Sequence, residues 1–346
     1  QPGGELTLAI DQRIQYMAYR ELRAAVAEHE ADGGVLVMMD ARTGEVLAMA
    51  NLPSYNPNNR AGLDPRGLRN QALVDVFEPG SVMKPLAMAA ILESGVVDRN
   101  VVVNTSPGWM RLDQFTIRDF RDYGELDLAG ILEKSSNIGM SRLALQLSDT
   151  AIWEKYHQLG LGQAPGTGFP GESTGSLPAP VRWSRSERAA LSYGYGLSAS
   201  AVQIASAYTA IANNGERLQP SLLRLAEPPQ GIPAISPTVA NDLLNILETS
   251  VAAYTGGRRA RVEGYRVGGK TGTVRKTGLQ GYTTDAYRSV FAGIAPISDP
   301  RIVTVVMIDH PKAGEFYGGA VAAPVFSSVT GNALRLLDVP PDHEAE

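Results

Sequence analysis

Three short clusters along this 346-residue chain carry side chains able to act together on an acyl group: Ser81-Val-Met-Lys84, Ser135-Ser-Asn137 and Lys270-Thr-Gly272. A serine hydroxyl is a poor nucleophile until something takes its proton. Lysine can do so only when neutral, and burial or a second nearby cation lowers its pKa. Lys270 is that cation if the clusters converge. Residues three apart share a helix face, so the Lys84 amine reaches toward the Ser81 hydroxyl. Ser135 can pass the proton to a leaving amine, and Asn137 offers a side-chain amide to a substrate amide. Lys270, Thr271 and Thr273 suit a substrate carboxylate, and glycines such as Gly272 let a ligand approach the backbone closely. The N–H groups of Ser81 and Thr273 would form an oxyanion hole, in which one donor is typically worth ~2.7–4 kcal/mol of barrier. Taken alone, Ser-Ser-Asn reads as a helix N-cap; the other two clusters reverse that preference.

The elements that must position these groups follow from periodicity. Glu78-Pro79-Gly80 stops one element, and Ser81 to Ser94 reads as a helix ended by Gly95. Pro85 is tolerated in its first turn, where N–H groups lack intrahelical partners. Ser81 then sits at a helix N-terminus, which favours developing negative charge. Residues 11 to 30 read as a helix with Asp11 as N-cap. Residues 35–40 and 45–50 read as a strand pair, residues 288–295 and 301–308 as a second hairpin, and 324–337 as a closing helix. Between about Leu86 and Leu247 the apolar spacing is mainly helical, broken by Gly and Pro clusters. The expected fold class is α/β (α+β): a sheet from both chain ends, about 1–80 and 250–346, with a helical region, about 81–249, inserted in one domain.

Composition removes several functions. Hydrophobic residues at 44% and charged residues at 19% fit a globular chain. A net charge of -5 argues against nucleic acid as a partner, since that needs a basic face. The most basic stretch, Gly256-Gly-Arg-Arg-Ala-Arg261, reads as a solvated turn. No cysteine exists to serve as nucleophile, disulfide or metal ligand, which suits an oxidising compartment among others. The four histidines are scattered without metal spacing, so no metal or other cofactor is expected. His310, after an apolar run and Asp309, reads as a structural strand-end residue rather than a ligand or base. No apolar run reaches the ~18 residues of a membrane span. The chain opens directly into Leu6-Thr-Leu-Ala-Ile10, which reads as the edge of a domain, with any membrane anchor lying outside it.

One motif competes from another class. Gly264-Tyr-Arg-Val-Gly-Gly269-Lys270-Thr271 spells the phosphate-binding G-x-x-x-x-G-K-[ST] loop, and Val303 to Ile308 with Asp309 resembles an acidic magnesium-holding strand. That loop requires a helix straight after it, whereas Gly272-Thr-Val-Arg-Lys-Thr-Gly278 favours a strand. A hydrolase elbow of the G-x-S-x-G type is set aside, because position 79 is proline, no other serine is read as fitting the pattern, and no histidine partner is evident.

The ordered set of S-x-x-K, S-x-N and K-T-G resembles the signature of penicillin-binding proteins and serine β-lactamases. Asp75-Val-Phe-Glu-Pro-Gly-Ser81, Lys134-Ser-Ser-Asn137, Tyr193-Gly-Tyr-Gly-Leu-Ser198, Ala286-Tyr-Arg-Ser289 and Ala323-Pro-Val-Phe326 extend the likeness over nearly the whole chain. It is similar to the transpeptidase domain of class B penicillin-binding proteins, most of all the cell-division, FtsI-like (septal) branch. That resemblance implies an antiparallel sheet and acylation of Ser81 by the D-Ala-D-Ala end of a peptidoglycan stem peptide. An acceptor amine then forms the cross-link, and β-lactam antibiotics trap the same serine. It also implies cleft positions for Tyr195, Arg275, Tyr287 and Tyr317, with ordinary packing as the competing reading of each aromatic. A division glycosyltransferase and divisome proteins are implied as partners, and the periplasmic face of the bacterial inner membrane as the location. The chain departs from the family in having Thr271 where many relatives have serine, and in lacking the family's membrane anchor and pedestal. A serine β-lactamase, a D,D-carboxypeptidase and a non-enzymatic β-lactam sensor remain alternatives at this level. The E-x-x-L-N pattern of one β-lactamase class does not occur, which predicts a long-lived penicillin adduct.

Overall fold

The computed structural model describes residues 3–59, 64–181, 183–253, 257–278 and 281–343. In chain order, α1 (Gln12–Glu28) starts where the Asp11 carboxylate accepts from the N–H groups of Arg13 and Ile14, and it buries a stripe of Ile14, Ala18, Leu22 and Ala25. A hairpin of β1 (Gly33–Asp40) and β2 (Val46–Leu52) follows. Next come α2 (Lys84–Glu93) and a small hairpin of β3 (Trp109–Leu112) and β4 (Phe115–Arg118). The helical region continues through α3 (Asn137–Ala144), α4 (Ala151–Gln158), α5 (Ala201–Ala212) and α6 (Pro237–Ala253). The chain then returns to the sheet as β5 (Gly268–Gly278), β6 (Gly281–Ala295) and β7 (Ile302–Asp309), and α7 (Ala323–Leu336) closes it.

The five main strands pair antiparallel in the order β2-β1-β7-β6-β5. Val35 faces Met307 across the β1–β7 pair, and Val290 faces Met307 across β6–β7. Side chains alternate faces along a strand. Val35, Val37, Met39, Val303, Val305 and Met307 therefore pack against the helical body, whereas Leu36, Met38, Ile302, Val306 and Ile308 pack against α1 and α7. Both faces are covered, which is why these strands read as unbroken apolar runs rather than as an alternation. β5 lies at the sheet edge, beside the turn that carries Ser81.

Two elements differ from the sequence reading. The helix expected from Ser81 begins instead at Lys84, and Gly80–Met83 forms a 3₁₀ turn. Pro85 has no N–H with which to close an α-turn onto the Ser81 carbonyl, so the Lys84 N–H closes the tighter ring onto it. The β3–β4 hairpin inside the helical region was not anticipated, because its strands are short and mostly exposed and give no apolar alternation. After Lys270-Thr271 the chain continues as strand β5, not as a helix, so the phosphate-loop reading fails on its structural requirement. Arg258–Ala260 is a single 3₁₀ turn, while Gly256 lies outside the described residues. His310 is a strand-end residue whose Nδ1 lies 2.8 Å from Asp32 Oδ2.

Candidate active site

Ser81 is half-buried in its 3₁₀ turn, and α2 behind it is buried on every side from Lys84 to Leu92. Backbone contacts fix the turn. The Gly80 N–H donates to Gly194 O (3.0 Å), and a side chain at Gly272 would stand 3.2 Å from Pro79 O. Two wholly buried tyrosines lie against it: Tyr208 Oη donates to Val82 O at 2.6 Å, and Tyr156 Oη sits 3.4 Å from Met83 O while donating to Leu191 O at 2.9 Å. Burial pushes both phenols well above their ordinary pKa, so they remain donors.

Ser135-Ser-Asn137 is the junction of two helices. Ser135 takes a left-handed conformation (φ 56°), and the Ser136 N–H bonds back to Ile131 O at 2.9 Å, closing the short helix Leu128–Glu133. Ser136 caps the next helix, its Oγ accepting from the Gly139 N–H at 2.8 Å. The cap reading and the chemical reading are therefore compatible: Ser136 caps, while Ser135 and Asn137 turn toward Lys84.

The three clusters meet. Lys84 Nζ donates to Ser135 O (2.5 Å), Ser135 Oγ (3.1 Å) and Asn137 Oδ1 (2.8 Å). Lys270 Nζ donates to the same Ser135 Oγ at 3.0 Å and to Thr271 O at 3.2 Å. The direct Lys84–Ser81 hydrogen bond expected from the spacing is not among the contacts; the amine leans toward Ser135 and Asn137. Asn137 is likewise committed, since its Nδ2 donates to Arg118 O (3.1 Å). Burial, then the charge of Lys270, hold the Lys84 pKa well below the usual lysine range, while Asp119 opposes them. Burial brings Lys270 down to about 7. Lys270 is thus partly neutral near pH 7, and Lys84 gives up its proton more readily than an ordinary lysine, as a group that is to act as a base must.

Ser81, Ser135, Asn137, Thr271, Thr273 and Tyr317 line one cleft of about 430 Å³. Thr273 Oγ1 accepts from the Gly318 N–H at 3.0 Å, which ties the far wall to β5. Tyr287 lies behind that wall: it stacks on Phe316 (4.3 Å), and Phe316 stacks on Tyr317 (4.5 Å). The Arg275 guanidinium stands 5.9 Å from the Tyr287 ring. Tyr195 lines a second cleft of about 360 Å³, together with Tyr193 and Tyr282, and the two clefts share Asn137. Of the four analogy-based positions, Tyr317 lines the cleft with Ser81, Tyr195 lines its neighbour, and Arg275 and Tyr287 back the wall.

Sequence reasoning missed Asp119. Its carboxylate accepts from Ser136 Oγ (2.5 Å), Asn137 N–H (2.6 Å) and Ile138 N–H (3.1 Å) at the N-terminus of α3. A lone aspartate after a short strand gives no local signal. A second oversight was Gly171-Glu-Ser-Thr-Gly175, which spells G-x-S-x-G. It lies in an irregular segment with no strand-to-helix turn, and Ser173 Oγ accepts from the Gly175 N–H at 3.1 Å. No group of three metal-capable side chains occurs among the described residues. No described helix is long and apolar enough to cross a membrane.

Residues 34–331 match the penicillin-binding protein transpeptidase domain. The chain belongs to that family. It is 44% identical over 339 residues to the probable peptidoglycan D,D-transpeptidase PbpC of Pseudomonas aeruginosa, covering 98% of this chain and 60% of that protein. It is 42% identical over 342 residues to peptidoglycan D,D-transpeptidase FtsI of Escherichia coli K12, covering 99% and 58%. The chain thus spans about three fifths of these curated relatives. Among solved structures, the apo TP domain of Burkholderia pseudomallei penicillin-binding protein 3 superimposes with a TM-score of 0.89 at 42% identity, covering 99% of this chain and all of that one. The mixed α/β fold with its antiparallel sheet is that of a penicillin-binding-protein transpeptidase domain.

Proposed function

We propose that this chain is the acyl-transferring domain of a septal peptidoglycan D,D-transpeptidase. The observation that carries the reading is the convergence of both lysine amines on one hydroxyl, Ser135 Oγ, in the cleft that also exposes Ser81. Ser81 Oγ attacks the carbonyl of the penultimate D-alanine of a stem peptide. Its proton passes to neutral Lys84, directly or through Ser135. The N–H groups of Ser81 and Thr273 hold the oxyanion. Ser135, recharged through Lys84 or Lys270, protonates the departing D-alanine amine, leaving an ester on Ser81. The amine of a neighbouring stem then attacks that ester, with Lys84 again taking a proton. The Thr271 and Thr273 hydroxyls orient the donor carboxylate, and Gly272 lets the peptide lie along the open edge of β5.

A β-lactam carries an acyl group and a carboxylate in similar relation and acylates the same serine. By family resemblance the domain faces the periplasm from a single-pass anchor in the inner membrane, alongside the division glycosyltransferase and divisome proteins. Intact-mass measurement after penicillin tests the reading. The native chain gains one drug mass that persists for hours, and Ser81→Ala gains none. Rapid loss of the adduct would mark a β-lactamase. A stable adduct with no action on D-Ala-D-Ala peptides would mark a sensor, and release of D-alanine to water alone a carboxypeptidase.

A further inference from the structure

The positive charge that an anionic substrate meets in the main cleft is not where the sequence places it. Lys270 is only 3% exposed, and two of its donors are used on Ser135 and Thr271. Lys84 is fully buried among three acceptors. Lys134 also lines the cleft but is paired with Glu133 at 2.5 Å. Arg259 differs from all three. It is exposed, lines the same cleft, and has no carboxylate within ion-pair distance among the described residues. Its one hydrogen bond there is a long one, from Nη1 to Ala320 O at 3.4 Å. Asp119, the carboxylate on the cleft wall, is already held by three donors of its own. Main chain connects Arg259 to the threonines: Ala320 O accepts from Arg259, and the Gly318 N–H donates to Thr273 Oγ1.

We infer that Arg259 is a specificity-determining residue that recognises the terminal carboxylate of the donor peptide, and the carboxylate of a β-lactam, from the Gly318–Ala320 side of the cleft. This rests on the transpeptidase reading of the same cleft. A guanidinium keeps its charge at every physiological pH and presents a planar fork of donors matched to a carboxylate. Lys270, brought down to about 7 by burial, carries its proton only part of the time. The division of labour is then physical: Lys270 serves the proton network around Ser135, and Arg259 supplies constant attraction.

The test compares second-order rates of Ser81 acylation by a penicillin bearing a free carboxylate and by its uncharged methyl ester. Native protein, Arg259→Ala, Arg259→Lys and Arg259→Glu are measured at low and high salt. Arg259→Ala is expected to slow acylation by the acid about two- to fivefold, the worth of a partly exposed ion pair, and to leave the ester rate unchanged. Arg259→Lys keeps most of the preference, Arg259→Glu reverses it, and the salt dependence of the acid fades with the charge. Matching thermal midpoints establish that the variants are folded. If Ser81 is acylated but the acid-to-ester ratio is the same in the native protein, Arg259→Ala and Arg259→Glu, the assignment of Arg259 falls alone. If native Ser81 reacts with neither compound, the transpeptidase reading falls and takes this inference with it.

Discussion

At the scale of single residues, the site lowers the pKa of two lysines. Lys84 is desolvated, and Lys270 stands across Ser135 Oγ from it. The cation lowers the Lys84 pKa and the Asp119 carboxylate raises it. In the proposed mechanism neutral Lys84 takes the Ser81 proton, so the acylation rate should climb with pH as the lysine proton is lost. Lys270→Met removes the neighbouring charge, lets the Lys84 pKa rise, and should move the climbing limb to higher pH. Asp119→Asn keeps an acceptor at the N-terminus of α3 but removes the opposing charge, and should move the limb to lower pH. Stopped-flow acylation by penicillin, followed as a function of pH, reads both shifts. A limb that stays in place in both variants would mean that another group takes the proton. Ser81, Lys84, Ser135, Asn137 and Lys270 were legible as a set because their chemistry is written in three contiguous clusters. Asp119 was not, since its role depends only on which helix end folds against it.

At the scale of elements, the turn that carries Ser81 is held by packing that no motif records. Tyr208, from the centre of α5, donates to Val82 O one residue beyond Ser81. Tyr208→Phe should cost about 0.5–1.5 kcal/mol, the net worth of a hydrogen bond, measured as a lower urea midpoint with unchanged slope. Acylation should slow as the turn loosens. Gly194 approaches the same turn from another side. It holds φ +86°, and an added Cβ would sit 2.0 Å from Gly80 O. Gly194→Ala must displace one backbone or the other, so a loss of about 1–3 kcal/mol is expected, with acylation falling more than stability. Unchanged acylation in that variant would show that the Gly80 turn is not positioned from Gly194. The strands of the sheet were readable because they are buried on both faces and apolar throughout. The start of α2 was misread by three residues because the missing Pro85 N–H governs the ring that closes onto Ser81, a feature periodicity cannot register. The β3–β4 hairpin escaped because it buries little.

At the scale of the whole molecule, one sheet separates two cores, and burying lysines beside it has a thermodynamic cost. Lys270 has a folded pKa of about 7 against an ordinary 10.5. Between those values the unfolded chain binds more protons, so this residue makes stability rise with pH across that window. Below about pH 7 both states hold the proton and the dependence ends. Lys270→Met should therefore flatten the rise of unfolding free energy between neutral and mildly alkaline pH, as followed by denaturant titration. An equal slope in the variant would show that Lys270 is not desolvated in solution. The overall plan, a sheet from both ends of the chain around a helical insertion, was visible in the sequence, because apolar strands cluster at the two ends and helical spacing lies between. That plan also sets an order of events during synthesis. β1 ends at Asp40, yet its neighbour β7 starts only at Ile302. A nascent polypeptide emerging N-terminus first can pair β1 with β2 at once, but the other edge of that largely apolar strand stays open until the last strand arrives. Such a non-local pairing is slow to form and prone to self-association while it waits. The period of vulnerability is thus the time taken to deliver everything between the two strands.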